Sequence, residues 1–294
     1  MQKLARDILI DILRDEGVTH IFGNPGSTEM PLLDALVDTP DLQYVLGLQE
    51  ATALGMADGW ALASGRTGFV NLHAAGGLGN AMGVLVASKA SGTPLVITAG
   101  QQDTRHLMSD PWLSGDLAAP LTKWSHEVRR PEDLGPALRR AFALAATPPT
   151  GPVFLSLPMD VLDMPVPGGA PKKSAVPHFG VAPNAALLAE RLAAHDPERV
   201  AILMGDDLPA TASEGLVALA ETGGYRVLGS QVGSRTAFPG KNPWWDGVLK
   251  ADFAVIRQRL EDCEAVVVAG GRAFIAYPYR AVHPLPERAK LYHV

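Results

Sequence analysis

Residues 68–90 read GFVNLHAAGGLGNAMGVLVASKA. GFVNL is an apolar run of strand length. HAAGGLGN is rich in glycine and reads as a turn. From Gly79 to Ala90 small residues follow at helical length. A buried strand, a turn and a small-residue helix in one stretch make the repeating unit of a sheet covered by helices. The alternative for so apolar a stretch is a membrane span, since residues 67–88 contain no Asp, Glu, Lys or Arg. Asn71, His73, Asn80 and five glycines would be costly at a bilayer centre, so a soluble α/β unit is expected.

The same rhythm extends both ways. Lys3 to Glu16 carries a helical stripe of Leu4, Ile8, Leu9, Ile12 and Leu13, and Gly17 stops it. Strands are expected at Val18–Phe22, Tyr44–Leu46, Gly68–His73, Leu95–Ala99, Trp124–Val128 and Val153–Leu157. Helices are expected from Glu50 to Ala63 and from Pro131 to Ala146. Ser27 or Thr28 is placed to cap a helix beginning near Pro31. Alternation of this kind predicts a doubly wound, mostly parallel sheet over residues 1–163. Residues 164–183, MPVPGGAPKKSAVPHFGVAP, hold five prolines and three glycines and read as a linker. The α/β pattern resumes over 184–294, with strands at Val200–Met204, Tyr225–Leu228 and Ala265–Ala269 and helices at Ala185–Ala194 and Ala212–Thr222. That second domain is expected to be Rossmann-like and incomplete, with an edge at Leu291–Val294 that favours association.

Composition narrows the function. The 294 residues are 47% hydrophobic and 19% charged, with a net charge of −6. Such a chain packs a core, and it lacks the basic excess of a nucleic-acid binder. The single cysteine, Cys263, cannot form an internal disulfide, which fits a reducing, cytoplasmic setting. No Cys/His spacing suggests zinc, and no metal site is expected within this chain. Gly205-Asp206-Asp207 reads as a strand-end loop.

In open α/β sheets ligands sit beyond the carboxyl ends of the strands. Three loops start there: Gly23 to Glu29, Leu48-Gln49-Glu50, and His73 to Asn80. They bring a carboxylate, an imidazole and a hydroxyl to one rim. Each has a structural reading too. Glu50 complements the positive end of its helix, His73 is a hydrogen-bonded core histidine, and Ser27 is a cap. Ala51, Ala53 and Leu54 leave Glu50 poorly solvated, which predicts a raised pKa.

Four segments together are more specific. IFGNPGSTEMPLLDAL (21–36), LQEATALGMADGWALASG (48–65), VNLHAAGGLGNAMG (70–83) and PLVITAGQQ (94–102) resemble the N-terminal pyrimidine-binding domain of thiamine diphosphate-dependent enzymes, in the benzoylformate decarboxylase-like branch. LTKWSHEVRRPEDLGPALRRAFALA (121–145) and GPVFLSLPMDVLD (151–163) also fit, and 184–294 resembles a truncated middle domain more loosely. The resemblance implies a 2-keto acid decarboxylase using thiamine diphosphate and magnesium. It implies that Glu50 hydrogen-bonds a ring nitrogen of the aminopyrimidine. His73 would shuttle protons, and Ser27 would bind the substrate carboxylate. Pro25, Gly26 and Asn80 would line the cofactor pocket. The diphosphate and magnesium would be held by a domain of another chain, in a homo-oligomer of two or four subunits. Acetolactate synthase-like carboligases usually have Pro-Gly-Gly in the first loop and no histidine matching His73. A non-catalytic chain that pairs with full-length relatives is the reading from another class.

In GGRAFIAYPYR (270–280), Pro278 stands where the decarboxylase branch has a second histidine. His106, Leu107, Met108 and Trp112 are placed to shape the substrate end or simply to pack. Trp244 and Trp245 are expected at a surface or subunit contact, and Tyr277 is unassigned.

Overall fold

The structure, a computed structural model, describes residues 2–106, 114–173, 184–205, 208, 210–231, 233 and 237–294. The chain divides into two compact units, Met1–Pro177 and His178–Val294.

In the first unit the strands are β1 (His20–Asn24), β2 (Gln43–Leu46), β3 (Gly68–Leu72), β4 (Leu95–Gln101), β5 (Ser125–Glu127) and β6 (Val153–Pro158). They form one parallel sheet in the order β2-β1-β3-β4-β6-β5. The principal helices are α1 (Ala5–Asp15), α2 (Met30–Leu36), α3 (Glu50–Ser64), α4 (Ala74–Ala90) and α5 (Pro131–Ala146).

Strand residues alternate between two cores, as a period of two requires. Ile21, Phe69, Val96 and Val153 face α1, α2 and α5, where Phe69 stacks on Phe142 with centroids 6.2 Å apart. Phe22, Val70, Ile97 and Phe154 face α3 and α4. Both faces are therefore covered, and each fully buried large side chain contributes roughly 1.5–3 kcal/mol. The chain leaves β1 toward one face and β3 toward the other. The neighbouring ends of these two strands make the crevice at which open α/β sheets bind ligands.

Residues 164–173 of the expected linker are held on this first unit. Pro165–Val166 pairs antiparallel with Lys3–Leu4, Arg139 Nε donates to the carbonyl of Pro171 at 2.9 Å, and Lys173 meets Glu16 at 2.7 Å. Residues 174–183 lie outside the described residues.

The second unit is also α/β. Strands β7 (Val200–Met204), β8 (Arg226–Gly229), β9 (Trp245–Val248), β10 (Ala265–Ala269) and β11 (Lys290–His293) run parallel in the order β9-β8-β7-β10-β11. Helices α6 (Ala185–Ala193), α7 (Ser213–Gly223) and α8 (Phe253–Arg259) accompany them. Trp245 belongs to β9 and stacks on Phe238 at 6.1 Å, and both Trp244 and Trp245 pack partly buried against this unit's core. Strand β9 and helix α8 were not expected from the pattern.

Two further expectations change. Helix α4 starts at Ala74, not Gly79, so Gly76, Gly77 and Gly79 lie inside a helix rather than in a loop. Neither Ser27 nor Thr28 caps a helix. Ser27–Glu29 is a single 3₁₀ turn that precedes α2 with no side-chain cap.

Candidate active-site rim

Glu50 is the first residue of α3 and is 7% exposed. Gln49 caps the helix by accepting from the N–H of Thr52 at 3.1 Å, so Glu50 is not needed as the cap. Its carboxylate instead gathers two asparagines from other segments. Asn24 Nδ2 donates to Oε1 at 3.2 Å, and Asn80 Nδ2 donates to Oε2 at 3.0 Å. Gly77 makes room for this arrangement, since a Cβ there would lie 3.1 Å from both Cγ and Oε1 of Glu50.

The pKa expectation for Glu50 is overturned. Burial pushes the carboxyl up. The hydrogen bonds from Asn80, its own backbone N–H and Asn24, with His73 nearby, outweigh burial and hold it below its ordinary value. The result is an ionised carboxylate, sequestered yet hydrogen-bonded on both oxygens.

His73 follows β3 and precedes α4. The next residue, Ala74, has φ of 49°, in the left-handed region that costs a residue with a Cβ about 1–3 kcal/mol. This sharp strand-to-helix turn brings the imidazole against the first loop. A Cβ on Gly26 would lie 2.3 Å from both Cε1 and Nδ1 of the ring, so only glycine fits beside it. Nδ1 lies 2.9 Å from Oε2 of Glu29 and 3.3 Å from Oγ1 of Thr28.

Glu29 is the residue that sequence reasoning missed. It is 1% exposed, and its carboxylate is fully surrounded by donors. The Gly26 N–H donates to Oε2 at 2.7 Å. The Gly100 N–H and the Thr28 hydroxyl donate to Oε1, each at 2.8 Å. A signal was present: Glu29 stands three residues after the turn glycine Gly26, the spacing at which a glutamate reaches back to a backbone N–H. Behind it, Tyr44 donates to Asn71 Oδ1 at 3.2 Å, and Asn71 Nδ2 donates to Thr98 Oγ1 at 3.2 Å. Burial raises the Tyr44 phenol well above its ordinary range, and the Glu29 charge adds to this.

The structure thus brings Glu50, Asn80, His73 and Gly26 to one rim, with Asn24 and Glu29 added. Pro25 is half-buried in the same loop, and Ser27 is exposed beside it. His106 is exposed in a segment anchored by Asp160, which accepts from the Thr104 N–H at 3.0 Å and from its hydroxyl at 2.5 Å. Leu107, Met108 and Trp112 lie outside the described residues, as do Asp206 and Asp207. Pro278 sits in the second unit between Tyr277 and Tyr279, which are both strongly exposed. Among the described residues no group of three or more His, Cys, Asp or Glu could hold a metal ion, and no helix is long and apolar enough to cross a membrane.

Known proteins resemble this chain. Residues 4–121 match the family model described as thiamine pyrophosphate enzyme, N-terminal TPP binding domain. The chain is 40% identical over 299 aligned positions to benzoylformate decarboxylase of Pseudomonas aeruginosa, covering 99% of this chain and 56% of that protein. Against the solved thiamine diphosphate-dependent 4-hydroxybenzoylformate decarboxylase of Rhodococcus jostii RHA1 the TM-score is 0.91 at 34% identity, covering 99% of this chain and 56% of that one. An acetolactate synthase large subunit of Haemophilus influenzae is more distant, 32% identical over 55% of this chain and 29% of that protein. The chain spans a little over half the length of the two decarboxylases. With the family domain matched over 4–121 and the likeness running almost from end to end, the chain carries the N-terminal TPP binding domain of thiamine pyrophosphate enzymes and resembles the decarboxylases along nearly its whole length.

Proposed function

We propose that this chain supplies the pyrimidine side of a benzoylformate decarboxylase-like active site acting on a 2-keto acid. The observation that carries the reading is the Glu50 carboxylate, buried at a helix start and oriented by Asn24 and Asn80. Its donor set fits the cofactor. An acceptor held ionised in a poorly solvated place suits a nitrogen-bearing ring that presents a proton. Thiamine diphosphate, when bound, supplies the electron sink that lets the carboxyl group of a 2-keto acid leave as carbon dioxide.

The residues of this chain bind, orient and move protons around that chemistry. Glu50 holds a ring nitrogen of the aminopyrimidine. Gly77 keeps the helix backbone close to Glu50, and Asn24 and Asn80 keep both carboxylate oxygens in place. His73 gives and takes protons at the substrate end. Ser27, exposed and free of any capping role, is placed to bind a carboxylate. Pro25 and Gly26 shape the wall beside it. The relatives extend well beyond the shared stretch. The reading assigns the diphosphate, its magnesium and the rest of the substrate pocket to a domain supplied by another chain of an oligomer.

Titration calorimetry tests this division of labour. The 294-residue chain is titrated with thiamine diphosphate and magnesium, alone and with a separately made diphosphate-binding half of a relative. Binding that requires the added half is expected. Tight binding of the diphosphate by this chain alone would overturn the assignment.

A further inference from the structure

We propose that Glu29 is a positioning residue that fixes the His73 imidazole as its Nδ1–H tautomer, leaving Nε2 as the nitrogen that exchanges protons. The inference rests on the functional reading only for the purpose of the bare nitrogen. The tautomer itself follows from the geometry around Glu29.

A carboxylate has about four lone-pair sites, two on each oxygen. At Glu29 all four have partners. Oε1 faces the Gly100 N–H and the Thr28 hydroxyl, and Oε2 faces the Gly26 N–H and Nδ1 of His73. Two of these donors are backbone amides that cannot turn away. A proton on either oxygen would displace one of them. A carboxylate so saturated accepts only, so the nitrogen at 2.9 Å must carry a hydrogen.

Glycines guard the seat on both sides. A Cβ at Gly100 would lie 2.0 Å from Oε1 of Glu29, and one at Gly26 would strike the imidazole. The other ionisable groups around the pair are the Glu50 carboxylate, which His73 helps to keep ionised, and the Tyr44 phenol, which the Glu29 charge helps to keep neutral. Neither competes for Nδ1. His73 keeps 39% of its side chain exposed while Glu29 keeps 1%, so the imidazole is reachable from outside and the carboxylate is not.

The test is a long-range proton–nitrogen correlation spectrum of the 294-residue chain with 15N-labelled histidine, at a pH where the imidazole is neutral. His73 is identified by the resonances lost in His73→Ala. The Nδ1–H form is expected to exceed the Nε2–H form by about tenfold or more, as one charge-assisted hydrogen bond supplies. In Glu29→Gln, where the amide has a single acceptor oxygen, this excess should collapse. Should that variant not fold, Gly26→Ala leaves the carboxylate in place but pushes the ring off it, and the same loss is expected. A majority of Nε2–H or an even mixture in the unmodified chain would overturn the proposal, as would an excess unchanged in whichever variant folds. The spectrum is read without cofactor or substrate, so this inference fails or stands separately from the decarboxylase reading.

Discussion

Asn80 Nδ2 donates to Oε2 of Glu50 at 3.0 Å, joining the second turn of α4 to the first residue of α3. The two helices pack on the same face of the sheet, and this bond registers one against the other where they meet the crevice.

Removing that donor takes a hydrogen bond away from a buried carboxylate. Asn80→Ala should destabilise the chain by about 1–3 kcal/mol, read as a lower urea midpoint with an unchanged slope. An unaltered midpoint would show that Asn80 is not holding Glu50.

Acid stability follows from the sign of the Glu50 shift. Its folded pKa is depressed, so the unfolded chain binds the proton at a higher pH than the folded chain does. The contribution is complete above Glu50's ordinary value of 4.5 and fades as the pH falls through the lower folded value. Melting temperatures measured from pH 7 downward should therefore fall less steeply below that value in Glu50→Gln than in the unmodified chain. Parallel curves would contradict the depressed carboxyl.

Three glycines should respond differently to alanine. Gly100→Ala forces a Cβ to 2.0 Å from Glu29 Oε1 and 2.4 Å from Thr28 Oγ1, inside a buried strand, and should cost about 2–4 kcal/mol. Gly26→Ala strikes the movable His73 ring, so its stability cost should be smaller and its main effect the displaced imidazole. Gly59 lies within α3 with open space around its Cβ position, and Gly59→Ala should stabilise the isolated chain by about 0.5–1 kcal/mol. Equal effects at Gly100 and Gly59 in thermal melts would count against the packing described.

Much of the fold was legible because its elements are local. The helix over Pro131–Ala146 and the strands Val200–Met204 and Ala265–Ala269 were read at their observed bounds, since each is a single periodic run. The start of α4 was not legible. Gly76, Gly77 and Gly79 look like loop residues, and of the three only Gly77 has a packing reason to be glycine, its closeness to Glu50. Glu50 itself was found, but the direction of its pKa was not, because the donors that decide it include Asn24 at the end of β1 and Asn80 in α4, both distant in sequence. Glu29 escaped for a related reason. Beside a helix start an acidic residue looks like an ordinary partner for the helix dipole, and nothing local points to His73 or Gly100. Strand β9, which begins at Trp245, was not legible because it is short and follows a turn rather than a clear apolar run.

The most direct measurement is carbon dioxide release from benzoylformate by the chain assembled with a diphosphate-binding half, with thiamine diphosphate and magnesium present. The assembly should turn over. Glu50→Gln should lower kcat by about a hundredfold or more while the assembly still forms, the scale of a lost proton-handling group. Turnover that is unchanged by Glu50→Gln would contradict the account, because the rim built around that carboxylate would not be the one that serves the reaction.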